Sequence, residues 1–440
     1  RPGGRMRGEL DVPGSKSIAQ RALIAAAFAP GPTRITGLPA GADVVCLLDA
    51  LGGLGVAVAR LGPRTVLVDG RAPGQAHENG ASHATRALDV GESGTAARLL
   101  TAAVALCAPR GALLEVQGSG SLARRSSPAL FAALRSAGAR LDPRDAGGAA
   151  GTWPVRITPV SAPELLVLED PASSQEVTAL LLALAAWPGE RQLKVEGQIP
   201  SRTYVQLTRS VLADFGVAVE HSERSGGTDF HLQGPLVAPP EAFRVEPDAS
   251  SAAVALAAAC LSGGELRVRG LTRASRQGDV SVVDHLSAFG CSAGEERGAL
   301  WARGRPTRGA QIDLARTPDL APVLAAVAGA VALADLGTSH LLGLETLPGK
   351  ESSRIEVLAG ALQALGLQVR ATARDLTIAP GKPTQAALTL DPKGDHRMAF
   401  AFGLLGLVRE GLAVRDAGCV AKSWPGFWDD LQRAGAARLA

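Results

Sequence analysis

Six times along 440 residues a short amphipathic run ends on a glycine: LLDALGGLGV at Gly55, LFAALRSAGA at Gly138, VLADFGVAV at Gly216, HLSAFGCS at Gly290, ALQALGLQV at Gly366 and LQRAGA at Gly435. The six glycines stand about 70 to 83 residues apart. Glycine is the usual residue just past a helix end, because it adopts the left-handed conformation without strain. A period of this length marks a repeated structural unit. A unit of about 75 residues does not bury a comfortable core alone, so the repeats have to cluster, most simply three and three. The Pro-rich stretch PLVAPPEAF, residues 235–243, follows the third repeat and reads as the linker.

A second segment recurs with the same period. A turn of small residues runs into an Ala/Leu helix in GSKSIAQRALIAAAFA, GESGTAARLLTAAVAL, PASSQEVTALLLALAA, PDASSAAVALAAACLSGG, RTPDLAPVLAAVAGAVAL and KGDHRMAFAFGLLGLV. Between the helices lie short β-branched or alternating runs bounded by Gly or Pro: TRITGL, TVLVDG, ALLEVQG, QLKVEG, ELRVRGL, LTIAPG and LAVRDAG. Each repeat therefore reads as helices plus three or four short strands, and the fold as α/β with sixfold repetition in two lobes. Aromatic residues make up only 3%, so the cores have to be built from Ala, Leu and Val.

Several function classes are excluded. The formal charge is only +3, with no basic block and no aromatic-studded basic stripe, which argues against nucleic acid. The longest apolar runs fall short of the roughly 20 residues a membrane span needs. Five scattered cysteines (Cys46, Cys107, Cys260, Cys291 and Cys419) form no CxxC and read as reduced thiols. With no secretory leader in RPGGRMRGEL, a cytoplasmic location is expected. There is no GxxxxGK[ST], no GxGxxG after a strand, no Ser-His-Asp order and no metal-ligand spacing; His396, the one suggestive histidine, lacks partners nearby in sequence.

Chemistry collects at the helix starts. Exposed amides and the positive end of the helix dipole favour anions there, although Ser, Thr and Asp at such positions are also ordinary caps. Only six of the 45 basic residues are lysines, and three of these, Lys16, Lys350 and Lys422, sit at such or comparable turns. Lysine is a compact, titratable point charge and arginine a permanently charged fork, so retention of lysine in an Arg-biased chain indicates a need for an ammonium. Arg21, Arg98, Arg125, Arg354 and Arg397 stand beside the same turns. Each alone reads as a surface charge; together they describe a cationic cleft for a small polyanion. Asp319 and Glu351 lie inside the cationic set, where a carboxylate stays ionised and can do acid/base work; the plainer readings are a helix cap for Asp319 and a salt bridge for Glu351. The sole tyrosine, Tyr204, suits core and ligand contact equally.

Nine ordered motifs carry a resemblance: PGSKSIAQRAL, LDVGESGTAARLL, GSGSLARRS, SSQEVTALLLA, SRTYVQLT, TPDLAP, GKESSRIEVLAGALQALG, GDHRMAFAF and KSWPGFWDDL. Together they span almost the whole chain, which resembles the enolpyruvyl transferase family in its EPSP synthase branch. The resemblance implies a two-lobed inside-out α/β barrel of six βαβαββ-type repeats, three per lobe. It implies one lobe over 15–243 and a second formed by 1–14 plus 244–440, with the active site in the cleft between them and closure on binding. It implies transfer of the enolpyruvyl group of phosphoenolpyruvate (PEP) to the 5-hydroxyl of shikimate-3-phosphate, with release of phosphate, in aromatic amino-acid biosynthesis. By motif position Asp319 is the base near the 5-hydroxyl, and Glu351 with Lys16 manages the proton on C3 of PEP. Lys16, Ser17, Arg21, Ser173, Ser174, Gln175, Ser201, Tyr204, Asp319 and Lys350 are the implied shikimate-3-phosphate contacts. Lys16, Gly94, Arg125, Gln175, Arg354, Arg397 and Lys422 are the implied PEP contacts. No cofactor, metal, nucleic acid or membrane is implied, and the family-level expectation is a monomer.

The chain departs from the family pattern in places. Glu92-Ser93 stands where Asn-Ala is usual, which puts a carboxylate beside the PEP loop and predicts weaker binding of PEP and of anionic inhibitors. Ser353 replaces an Asp, and Ser126 a Pro. Two rival readings fit the residues less well. The sister reaction on UDP-N-acetylglucosamine calls for a Lys-Asn pair and a loop cysteine, whereas here Ser17 follows Lys16 and no cysteine lies in an Arg-flanked loop. A non-catalytic anion-binding relative would not need Asp319 and Glu351.

Overall fold

The computed structural model describes residues 4–75, 85–143 and 151–435, so the first three and last five residues of the expected second lobe lie outside the described residues. The chain divides into two compact units, Gly14–Val245 and Arg1–Pro13 with Glu246–Ala440. The second passage falls two residues beyond the bound expected at 243. The reason is local: Phe243 and Arg244 form a strand parallel to Gly31–Thr36, in register with Ile35 and Thr36. The Pro-rich stretch read as a linker therefore belongs to the unit Gly14–Val245.

Within that unit the repeat is plain. Strands Arg86–Asp89, Leu114–Gln117, Val155–Thr158 and Arg140–Pro143 lie side by side in that order. The first pair is parallel and bridged by helix Gly94–Cys107; the rest is antiparallel and ends in a hairpin. Strands Leu165–Glu169, Gly189–Glu196, Gly227–Gly234 and Val219–Arg224 repeat the order around helix Ser174–Ala185. The remaining sheet, with Gly31–Thr36, Thr65–Gly70 and Ala57–Gly62, takes its first strand from Phe243–Arg244 at the far end of the unit.

The other unit shows the converse. Strand Arg7–Leu10 pairs in parallel with Glu265–Arg269, and Ala299–Arg303 and Ser292–Glu296 complete that sheet. Each unit thus draws the first strand of one sheet from a distant part of its own sequence. A second sheet, from Gln311–Asp313, Ser339–Leu342, Leu376–Ala379 and Gln368–Ala371, keeps the common order. In the sixth repeat the described residues show two strands where three or four are expected. Among the described residues, Leu388–Leu390 and Leu412–Val414 form its two-stranded parallel sheet.

All six closing glycines take positive φ, between 79° and 108°. The six Ala/Leu helices are buried almost all round: every residue of Ile18–Phe28 is buried, as is every one of Val177–Ala185. A helix apolar on all faces belongs in an interior. Three of them pack on one another inside each unit with the sheets flanking them, which is the inside-out α/β arrangement. Alanine makes this packing possible without aromatic filling. All five cysteines are free thiols, and none of the described helices is long and apolar enough to cross a membrane.

Candidate active site

Four of the six buried helices start on a side-chain cap. Ser93, Ser173, Asp248 and Asp395 each accept a hydrogen bond from an amide of the first turn, so plain capping accounts for those residues. The two starts without one are Ser15, before helix Lys16–Phe28, and the turn Pro318–Leu320, before helix Ala321–Leu333. These carry Lys16 and Asp319. Asp319 is therefore not a cap.

In the unit Gly14–Val245, Lys16 Nζ donates to Asp43 Oδ2 at 2.8 Å. Arg98 is the hub of the neighbouring helix start. Its guanidinium donates to the Gly94 carbonyl (2.9 Å), Gln175 Oε1 (3.1 Å), Ser127 Oγ (2.6 Å) and the Ser126 carbonyl (3.1 Å). Gly94 has no room for a side chain: a Cβ there would lie 2.5 Å from Arg125 Nη1 and 2.9 Å from Arg98 Nη1. Arg125 also donates to Ser121 Oγ at 3.3 Å, and that hydroxyl donates to Glu92 Oε2 at 3.1 Å. The expected carboxylate thus stands beside the arginine of this loop.

Ser173 closes a capping box with Glu176 at the start of helix Ser174–Ala185, which presents Gln175 in its first turn; Ser174 is buried. Arg21 is only 1% exposed and ties three helices together. It donates to Thr208 Oγ1 (2.9 Å), the Ser17 carbonyl (2.8 Å), Thr178 Oγ1 (3.3 Å) and the Tyr204 carbonyl (3.3 Å). Tyr204 is half-buried against the apolar core, and Ser201 occupies the left-handed region at φ 50° just before helix Thr203–Asp214. Burial lowers both Arg21 and Arg98 to about 10.

In the other unit Asp319 is ringed by cations: Arg397 Nη2 at 3.0 Å, Arg354 Nη1 at 3.1 Å and Lys350 Nζ at 3.4 Å. Glu351 meets Arg354 Nη2 at 2.6 Å and Lys422 Nζ at 3.5 Å. Arg354, 2% exposed, also binds the fully buried Asp395 through Nε at 2.8 Å. Burial lowers the Arg354 pKa, but Asp395, Glu351 and Asp319 outweigh it, and the net shift is upward. Withdrawal from water pushes the Lys350 ammonium down, against the pull of Asp319, with Arg354 and Arg397 adding to the fall. Two carboxylates thus stand among four cations, Lys350, Arg354, Arg397 and Lys422.

The arrangement corrects one expectation. Ligand atoms of Glu351, Asp395 and His396 lie within 4.8 Å of one another, although sequence spacing showed no such cluster. Arg354 donates to both carboxylates, so a cation already serves the group. Sequence reasoning missed Asp43, Asp395 and Asp279. Asp395 stood in the quoted GDHR motif, one residue from His396, and Asp43 opens the first turn of helix Ala42–Leu54. Asp279 hydrogen-bonds Ser250 Oγ; burial, then the nearby Asp319, raise its carboxyl to about 6.

The chain matches the family described as EPSP synthase (3-phosphoshikimate 1-carboxyvinyltransferase) over residues 1–431. It is 35% identical over 430 residues to a 3-phosphoshikimate 1-carboxyvinyltransferase of Methanoculleus marisnigri, covering 96% of each chain. It is 36% identical over 434 residues to that of Burkholderia orbicola, covering 96% of this chain and 95% of the relative. Among solved structures, EPSP synthase from Acinetobacter baumannii superposes with a TM-score of 0.74 at 26% identity, covering 99% of this chain and 97% of the other. The enolpyruvyl transferase NikO from Streptomyces tendae, at 18% identity and a TM-score of 0.71, shares the fold, with 98% of this chain and 95% of that one covered. Repeat, residue clusters and relatives agree: the chain belongs to the EPSP synthase family.

Proposed function

We infer that this protein transfers the enolpyruvyl group of PEP to the 5-hydroxyl of shikimate-3-phosphate and releases phosphate, a step of the shikimate pathway. The reaction is an addition followed by an elimination. C3 of PEP takes up a proton while the 5-hydroxyl, losing its own proton, adds to C2. Phosphate then leaves as the new methyl group gives a proton back.

Asp319 is the base for the 5-hydroxyl. The observation that carries this role is the ring of Lys350, Arg354 and Arg397 around its half-buried carboxylate, since nearby cations favour the ionised form that accepts a proton. Glu351 and Lys16 manage the proton on C3. Lys16 can exchange a proton, which arginine, with a pKa above 12, does not do. Lys16, Arg125, Arg354, Arg397 and Lys422 hold PEP, with the Gly94 backbone and Gln175. Lys16, Ser17, Arg21, Ser173, Ser174, Gln175, Ser201, Tyr204, Asp319 and Lys350 hold shikimate-3-phosphate. The half from Gly14–Val245 thus supplies most of the shikimate-3-phosphate contacts, and the half with Glu246–Ala440 supplies Asp319 and Glu351. We place the protein in the cytoplasm as a monomer.

The test is phosphate release from PEP and shikimate-3-phosphate by the wild type and Lys16→Arg. Release by the wild type and its loss in the variant are expected. No release despite tight shikimate-3-phosphate binding would make the chain a binding relic. Neither release nor binding would give the site to another acceptor.

A further inference from the structure

We propose that Asp43, braced by Gln20, is the positioning residue that fixes the Lys16 ammonium and ties it to the helix start at Gly94. The claim rests on the reading of the reaction given above.

Asp43 lies in the first turn of helix Ala42–Leu54, where any carboxylate interacts favourably with the helix dipole. A carboxylate with that role alone stays in water, and Asp43 is 5% exposed. Taking it out of water is costly unless a charge or hydrogen bonds compensate, and Lys16 Nζ at 2.8 Å does so. The backbone of the same residue is fixed as well. Gln20 Nε2 donates to the Asp43 carbonyl at 3.2 Å and to Ser93 Oγ at 3.0 Å. Ser93 Oγ in turn accepts the Ala96 amide at 3.2 Å and so caps the helix that begins at Gly94. Gln20 follows Lys16 by four residues, one turn along the same helix face. One buried amide nitrogen therefore joins two helix starts, and the Lys16 ammonium is held at the carboxylate of the first. Ser93, a departure from the family pattern, supplies the hydroxyl that completes the frame. A lysine that exchanges a proton with one substrate while touching another has to be held in place, since its four-carbon stem otherwise samples many positions.

The experiment compares wild type with Asp43→Asn, Asp43→Glu and Gln20→Met. It reads steady-state kinetics, shikimate-3-phosphate affinity by calorimetry, melting temperature, and acylation of Lys16 by an N-hydroxysuccinimide ester, the last by peptide mass spectrometry. Asp43→Asn is expected to lower kcat/KM for PEP about 10- to 100-fold, with shikimate-3-phosphate affinity within about 3-fold. Acylation of Lys16, alone among the six lysines, should accelerate several-fold as the amine loses its carboxylate. Asp43→Glu restores most of the rate. Gln20→Met, which keeps the volume and loses both donated bonds, raises KM for PEP by a smaller factor. Equal losses in Asp43→Asn and Asp43→Glu that track a falling melting temperature would assign Asp43 to folding alone and overturn the proposal. Unchanged kinetics with unchanged acylation would overturn it too. An inactive wild type would sink the reading of the reaction instead; the acylation rates then decide the positioning claim by themselves.

Discussion

Arg98 and Arg354 are both buried arginines at the start of a helix, yet their surroundings shift them in opposite directions. Arg98 meets neutral oxygens, those of Gly94, Gln175, Ser126 and Ser127, and burial lowers it to about 10. Arg354 meets three carboxylates, Asp319, Glu351 and Asp395, and is raised despite its burial. Arg21 behaves like Arg98. The half from Gly14–Val245 therefore keeps positive charge that protein carboxylates only partly offset, which suits phosphate and carboxylate groups of a ligand. The other half is neutralised internally: Arg354 is shared among three carboxylates, and burial still raises the Asp395 carboxyl.

The largest test of this contrast is stability. Arg354→Met leaves Asp395 buried without its guanidinium and should cost about 3 to 5 kcal/mol in urea unfolding. Arg98→Met, which strips only neutral acceptors, should cost about 1 to 3 kcal/mol. Equal costs would break the comparison.

Asp279 sharpens it, as a carboxyl outside the ion pairs of its half. Its folded pKa of about 6 exceeds the ordinary 3.8, so the folded state binds the proton more tightly than the unfolded one. The group's effect is most favourable below 3.8, declines as pH rises between the two values, and is fully unfavourable above about 6. The difference amounts to about 3 kcal/mol. Asp279→Asn should thus raise the melting temperature at pH 8 and leave it unchanged at pH 4. A shift of the same size at both would show that charge is not the cause.

Two smaller effects probe the other half. In Gly94→Ala the new Cβ has to displace Arg125 Nη1, since Arg98 is held by four acceptors. KM for PEP should rise about 10-fold with shikimate-3-phosphate affinity unchanged. An unchanged KM would remove Arg125 from the PEP contacts. Glu92→Asn removes the carboxylate bonded to Ser121 beside Arg125 and should improve PEP binding by a few-fold, an effect of about 1 kcal/mol or less. No improvement would show that Glu92 does not oppose the anion.

The repeat was legible because its signals are local. A glycine after an apolar helix and a β-branched run between Gly and Pro need no partner to be read, and all seven such runs overlap strands of the structure. The parallel first strands were not legible. Phe243–Arg244 has two residues and Gln311–Asp313 three, too few to alternate. In the candidate site, Lys16, Asp319 and Arg354 stood out by type and motif. Their fixed partners did not, because Asp43 is 27 residues from Lys16 and Asp395 is 41 from Arg354. Only the fold makes them neighbours.

The first strand Arg7–Leu10, separated from the rest of its sheet by the whole of the other unit, also imposes an order on biosynthesis. Strand Arg7–Leu10 is translated before Gly14–Val245, but its partner Glu265–Arg269 only after it. By then the whole of Gly14–Val245 has been made, and its two ends converge on one glycine: a Cβ on Gly14 would strike the Gly37 carbonyl at 1.9 Å, and one on Gly37 the Val245 carbonyl at 2.6 Å. The inner unit is thus a closed insertion that can fold during translation, as domains made first generally do. Strand Arg7–Leu10 has to wait with its backbone groups unpaired until Glu265–Arg269 is made, open to other pairing in the meantime.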